Sequence, residues 1–211
     1  MKMFKSVSKQ EKAEIMIKKS RFITHVFPVE EEETAETRVN SVREKHGDAT
    51  HNVFAWQIGV ERTGQRFSDD GEPSGTAGRP VLEVIKNNQL TNVLVVVTRY
   101  FGGIKLGAGG LVRAYSQSAQ KGLEKSGIVT KGLHEIFCVT IDYGHLGPVQ
   151  RELESAAILL ETNYGQFADV NFAVAFNRSE QLLARIGDLT KGQNRITKIG
   201  EKYLPLKEHF K

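Results

Sequence analysis

The chain has 211 residues, 39% hydrophobic and 26% charged, and a net charge of +4. This is ordinary globular composition, enough for a packed core, and the length suits one large domain or two of about 100 residues. The single cysteine, Cys138, excludes an internal disulfide. The longest apolar run, residues 93–97, is too short to span a bilayer, and residues 1–12 lack the apolar stretch of a secretory signal. A cytoplasmic protein is expected, with Cys138 a buried small hydrophobe among Ile136, Phe137 and Val139.

Charge is distributed unevenly. Residues 1–133 hold 20 Lys and Arg against 15 Asp and Glu, a net +5, whereas residues 134–211 hold 9 against 10, a net −1. Within residues 99–131, six basic side chains face one acid, Glu124. Such a field favours phosphate-bearing partners; a solvated helix face is the alternative.

Residues 15–17 and 22–27 read as two extended runs around a Lys-Lys-Ser-Arg break, the second ended by Pro28. Four acids at 30–33 precede helical spacing over 34–45, a capped helix start that suits the macrodipole. A strand is expected over 52–60, then a turn-rich stretch at 69–80, and a helix over 81–86 ended by Asn87 and Asn88. The β-branched run 92–98 has the pattern of a buried central strand. A glycine-rich loop at 100–110 leads into a strong helix over 111–125. Val112, Tyr115, Ala119 and Leu123 share one face of that helix, and Ser126-Gly127 stops it. Lys131-Gly132 marks a boundary between domains 1–132 and 133–211. Beyond it, strand 136–142, helix 147–157, strands 159–162 and 170–176, helix 179–188 and strand 195–203 give the βαββαβ order of a ferredoxin-like domain.

Two loops are candidates for chemistry. The loop at 100–110 follows a buried strand and opens a helix, so its amides and the helix dipole make an anion site, with Lys105 and Arg113 adding charge. Its spacing fits neither the P-loop nor Gly-x-Gly-x-x-Gly. Here the alternative is that the glycines only permit tight strand–helix packing. The other loop groups Asp69, Asp70 and Glu72 with Ser74 and Thr76, which could hold a divalent cation or supply a general base. These are equally turn residues, with Ser74 or Thr76 as caps for the next helix. His51 opens a strand and could face the same cleft, as a catalytic group or a structural hydrogen-bonder. No His/Cys metal pattern, EF-hand, Gly-x-Ser-x-Gly elbow or RNA-recognition aromatic motif occurs, and Trp56 reads as core. No cofactor and no metal are expected.

Three strings closely resemble the IMPACT/YigZ family, bacterial members above all. They are Asp48-Ala49-Thr50-His51-Asn52; the turn from Asp69 through Asp70, Gly71, Glu72, Pro73, Ser74, Gly75, Thr76 and Ala77 to Gly78; and the stretch 97–115. The resemblance covers essentially the whole chain. It implies an α+β protein of two domains. The first is similar to domain 2 of ribosomal protein S5, the second ferredoxin-like and similar to the last domain of elongation factor G. Eukaryotic members of the family regulate translation under stress through a further N-terminal domain that does not align here.

The leading expectation is therefore a non-enzymatic modulator of translation that binds RNA or ribosomes. Arg99, Lys105, Gly107, Gly109, Gly110, Arg113 and Lys121 are its phosphate-contacting residues. The runner-up is an enzyme or nucleotide-binding module acting on a small phosphorylated substrate, with His51, Asp69, Asp70 and Glu72 as candidate catalytic residues. A third reading is a protein-interaction module in which the loops are scaffold.

Overall fold

A computed structural model describes residues 3–60 and 64–206. The fold is α+β, and the chain divides into two compact units, Phe4–Thr130 and one from Lys131 onward that takes in Met3. No helix among the described residues is long and apolar enough to cross a membrane.

In the first unit, strands β2 (Glu11–Ile17), β3 (Ser20–Pro28), β4 (His51–Ile58), β5 (Gly64–Ser68) and β6 (Val93–Tyr100) form an antiparallel sheet in the order β2-β3-β6-β4-β5. Helices α2 (Gly78–Asn87) and α3 (Ala108–Ser126) cover one face, and α1 (Glu32–Lys45) the other. The apolar run in β6 follows from this. Val93, Val95 and Val97 join the core under α2 and α3, while Leu94 and Val96 join the core under α1. A strand packed on both faces has no polar side to alternate with.

Several parts of this unit differ from the sequence reading. Strand β1 (Met3–Val7) lies outside this sheet; Thr91 N–H donates to Lys5 O and the Ser6 hydroxyl to Asn92 O. Neither β1 nor β5 has a β-branched run long enough to announce a strand. Helix α1 starts at Glu32 with no side-chain cap, although Glu32 and Glu33 do occupy its first turn. In α3, Leu111 rather than Val112 faces the core; Val112 is exposed.

The second unit is ferredoxin-like. Strands β7 (Ile128–Ile141), β8 (Ile158–Tyr164), β9 (Ala168–Ala175) and β10 (Asn194–Pro205) pair antiparallel in the order β10-β7-β9-β8, and β1 also pairs with β7, as the fifth strand of this sheet. Helices α4 (Tyr143–Ala156) and α5 (Ser179–Leu189) pack Val149, Leu153, Leu182 and Ile186 onto Phe137, Val139, Phe172 and Val174. Strand β7 runs through the division between Thr130 and Lys131. Cys138 points to the sheet face away from these helices and is only half-buried, contrary to expectation, because it alternates with Phe137 and Val139.

Candidate functional site

The turn at 69–78 is held by its own acids. Asp69 accepts three backbone N–H groups: Gly75 on Oδ2 at 2.8 Å, and Ala77 and Gly78 on Oδ1 at 3.0 and 2.8 Å. It thereby satisfies the otherwise orphaned first amides of α2. Ser74 and Thr76 do not cap that helix; the Thr76 hydroxyl turns back to Pro73 O. Asp70, at φ +46°, bridges neighbouring elements: Arg43 Nη2 donates to Oδ1 at 2.8 Å and Asn52 N–H to Oδ2 at 2.7 Å.

Glu72 is buried, and so are its partners. Arg99 Nη1 and the Tyr115 hydroxyl each donate to Glu72 Oε1 at 2.7 Å. Burial and the adjacent Glu72 charge raise the Tyr115 pKa, so the phenol stays a neutral donor. Arg99 was expected on a phosphate-binding surface, but its guanidinium is turned inward, between the rings of Phe22 and Phe101, each 5.5 Å away. Its Nε is buried and has no hydrogen-bond partner among the described residues.

His51 stands beside this group. Its Nδ1 lies 2.7 Å from Asp70 O, and a carbonyl only accepts, so Nδ1 carries the proton. Nε2 of the neutral ring is then an acceptor, 3.8 Å from Glu72 Oε2.

A recess of about 310 Å³ opens above these side chains. His51, Glu72, Pro73 and Arg99 line one part, and Phe101, Lys105, Leu106, Gly107, Ala108 and Leu111 the other. The two loops named from the sequence therefore meet. Gly107, at φ +71°, is the N-cap of α3 and supplies no capping side chain; only its carbonyl is used, by Leu111 N–H. Lys105, Gly109 and Arg113 are exposed, and Arg113 Nη1 lies back over the first turn, 3.9 Å from where a Cβ on Gly109 would stand. Gly110 packs against Leu106 instead. Lys121 lies farther along α3, does not line the recess, and pairs with Glu124 at 3.4 Å.

Asp69 and Asp70 each spend both carboxylate oxygens on separate partners, and Glu72 spends one of its two. Among the described residues, no group of three or more His, Cys, Asp or Glu is arranged to hold a metal ion. Sequence reasoning missed three contributors: Arg43, the Tyr115 hydroxyl, and Ser20, whose Oγ accepts from Arg99 Nη2 at 3.4 Å. Each reaches the site only through tertiary pairing, Arg43 and Asp70 being 27 positions apart in sequence and Glu72 and Tyr115 43.

Residues 18–123 match the family model of the Impact N-terminal domain, and residues 139–193 match a domain of unknown function (DUF1949). The chain is 43% identical over 184 residues to the IMPACT family member YvyE of Bacillus subtilis, which covers 87% of this chain and 85% of that protein. It is 34% identical over 188 residues to YigZ of Escherichia coli, covering 88% and 92%. Protein IMPACT of Danio rerio is 36% identical over 95 residues, 43% of this chain and 29% of that protein. A crystal structure described as that of a hypothetical protein superposes with a TM-score of 0.62 at 30% identity, over 99% of this chain and 100% of that one.

Proposed function

The chain belongs to the IMPACT family, and we propose that its first unit binds RNA, free or within ribosomes, and so modulates translation. The observation that carries this reading is the start of α3. Gly107 and Ala108 at its start line the recess beside Lys105 and the half-exposed Phe101 ring, no side chain caps the helix there, and Arg113 is exposed one turn along. Helix amides and cations suit a phosphate, and an exposed ring suits an unpaired base. The translational part rests on the resemblance to this family, whose eukaryotic members regulate translation.

The test is binding of labelled single-stranded RNA and co-sedimentation with ribosomes, each across a salt series. Lys105→Ala with Arg113→Ala is expected to weaken binding at least tenfold and to lower the salt slope by about two, one per cation. No binding at low salt, or binding indifferent to both substitutions, would remove the proposal.

One observation favours a second reading, an enzyme acting on a small phosphorylated substrate: His51 Nε2 and Glu72 Oε2 sit together at the recess floor as a base and a carboxylate. Turnover of a phosphorylated compound that His51→Ala abolishes, with no RNA bound, would put this reading first.

A further inference from the structure

Two hydrogen-bond acceptors face each other at the recess floor and nothing protein-borne joins them. Glu72 Oε1 is used twice, by Arg99 and Tyr115, whereas Oε2 has no hydrogen-bond donor among the described residues. With the Nδ1 proton directed at the Asp70 carbonyl, the neutral form of the His51 ring offers an Nε2 lone pair 3.8 Å from that oxygen. This separation is too long for a bond between the two and leaves room for a pair of donors carried by a ligand.

The charge around the acceptors selects the kind of donor. Arg99 already neutralises Glu72 at 2.7 Å, and Lys105 and the α3 N-terminus add positive potential on the other side of the recess. An ammonium ligand would meet that field; neutral hydroxyls attached to a phosphate would not. We infer that His51 Nε2 and Glu72 Oε2 receive the 2′- and 3′-hydroxyls of a terminal ribose, so that the site takes an RNA 3′ end. Neighbouring hydroxyls of a cis-diol lie roughly a hydrogen bond apart, so each can donate to one acceptor. The preceding phosphate then reaches the α3 amides and Lys105, and the base reaches Phe101. The 2′-hydroxyl is the group that a DNA 3′ end lacks.

This inference rests on the RNA-binding reading, and a comparison of two oligonucleotides separates them. A 12-nucleotide RNA with an ordinary 3′ end and the same RNA ending in a 2′,3′-dideoxyribose are titrated against the protein by fluorescence anisotropy at low salt. The ordinary RNA is expected to bind about tenfold tighter, one good hydrogen-bonded contact in affinity. In His51→Ala the difference should vanish, with both RNAs at the weaker value and the same salt slope. Equal affinity of the wild-type protein for the two RNAs overturns the inference and leaves RNA binding standing. Failure of both RNAs to bind overturns both. The wild-type comparison needs no substitution, so it holds even if the variant folds poorly.

Discussion

The Glu72 carboxylate is buried, and its place depends on two donors to one oxygen. Removing the acid strands Arg99 as an uncompensated buried cation, a change that costs about 3–5 kcal/mol. Glu72→Ala should therefore lower the thermal midpoint sharply, whereas Tyr115→Phe should cost only about 1–2 kcal/mol, because Arg99 keeps its partner. Chemical denaturation of the two variants checks the order. At the same scale, His25 and His46 meet through their Nε2 atoms at 3.2 Å, and the Tyr100 hydroxyl takes His46 Nδ1 at 2.9 Å and donates to Asp48. Burial first, then the nearby His46, Lys12 and Lys45, push His25 down from 6.5 to about 4. The unfolded chain thus binds a proton that the folded one refuses. Stability should be full above about pH 6.5 and fall as pH drops towards 4, by roughly 3 kcal/mol in all. Thermal midpoints at pH 7.5 and 5 should differ in the wild type and differ less in His25→Gln, where His46, also lowered by burial, remains. The residue types at the site were legible in the sequence, since Asp69, Asp70, Glu72 and His51 all stand out there. Their roles were not: Asp69 caps a helix eight and nine residues ahead, and Glu72 finds its partners on β6 and α3.

Elements were legible where one face or both are apolar. The run in β6, the spacing in α3 and the βαββαβ order of the second unit all translate directly into packing. Strands β1 and β5 escaped because short edge strands need little β-branched sequence. The glycines of the loop after β6 divide by element into two kinds. A Cβ on Gly102 would stand 2.0 Å from the Lys19 carbonyl, so this glycine exists for close approach of β6's end to the β2–β3 turn. One on Gly107 would meet nothing within 4 Å, and only its φ of +71° restricts it. Gly102→Ala should therefore disturb the fold, by about 1–3 kcal/mol or more. Gly107→Ala should cost about 1–3 kcal/mol of backbone strain, because φ +71° with ψ 165° is a region only glycine adopts freely, and should weaken RNA binding by disturbing the helix start. Paired unfolding and binding curves for the two variants check this.

Across the whole molecule, charge and architecture point the same way. The net positive charge lies in residues 1–133 and the net negative charge in 134–211, so binding of a polyanion should reside in the first unit and weaken steeply with salt. The second unit has its own core of Phe137, Val139, Val149, Leu153, Phe172 and Ile186 and contributes no residue to the recess. The measurement that tests the central claim most directly is a nitrogen-15 amide spectrum of the complete chain, titrated with short single-stranded RNA at low salt. Saturable shifts of the Lys105, Ala108, Gly109 and Gly110 amides are predicted. Shifts confined to residues beyond 131, or no shifts at all, would contradict the account.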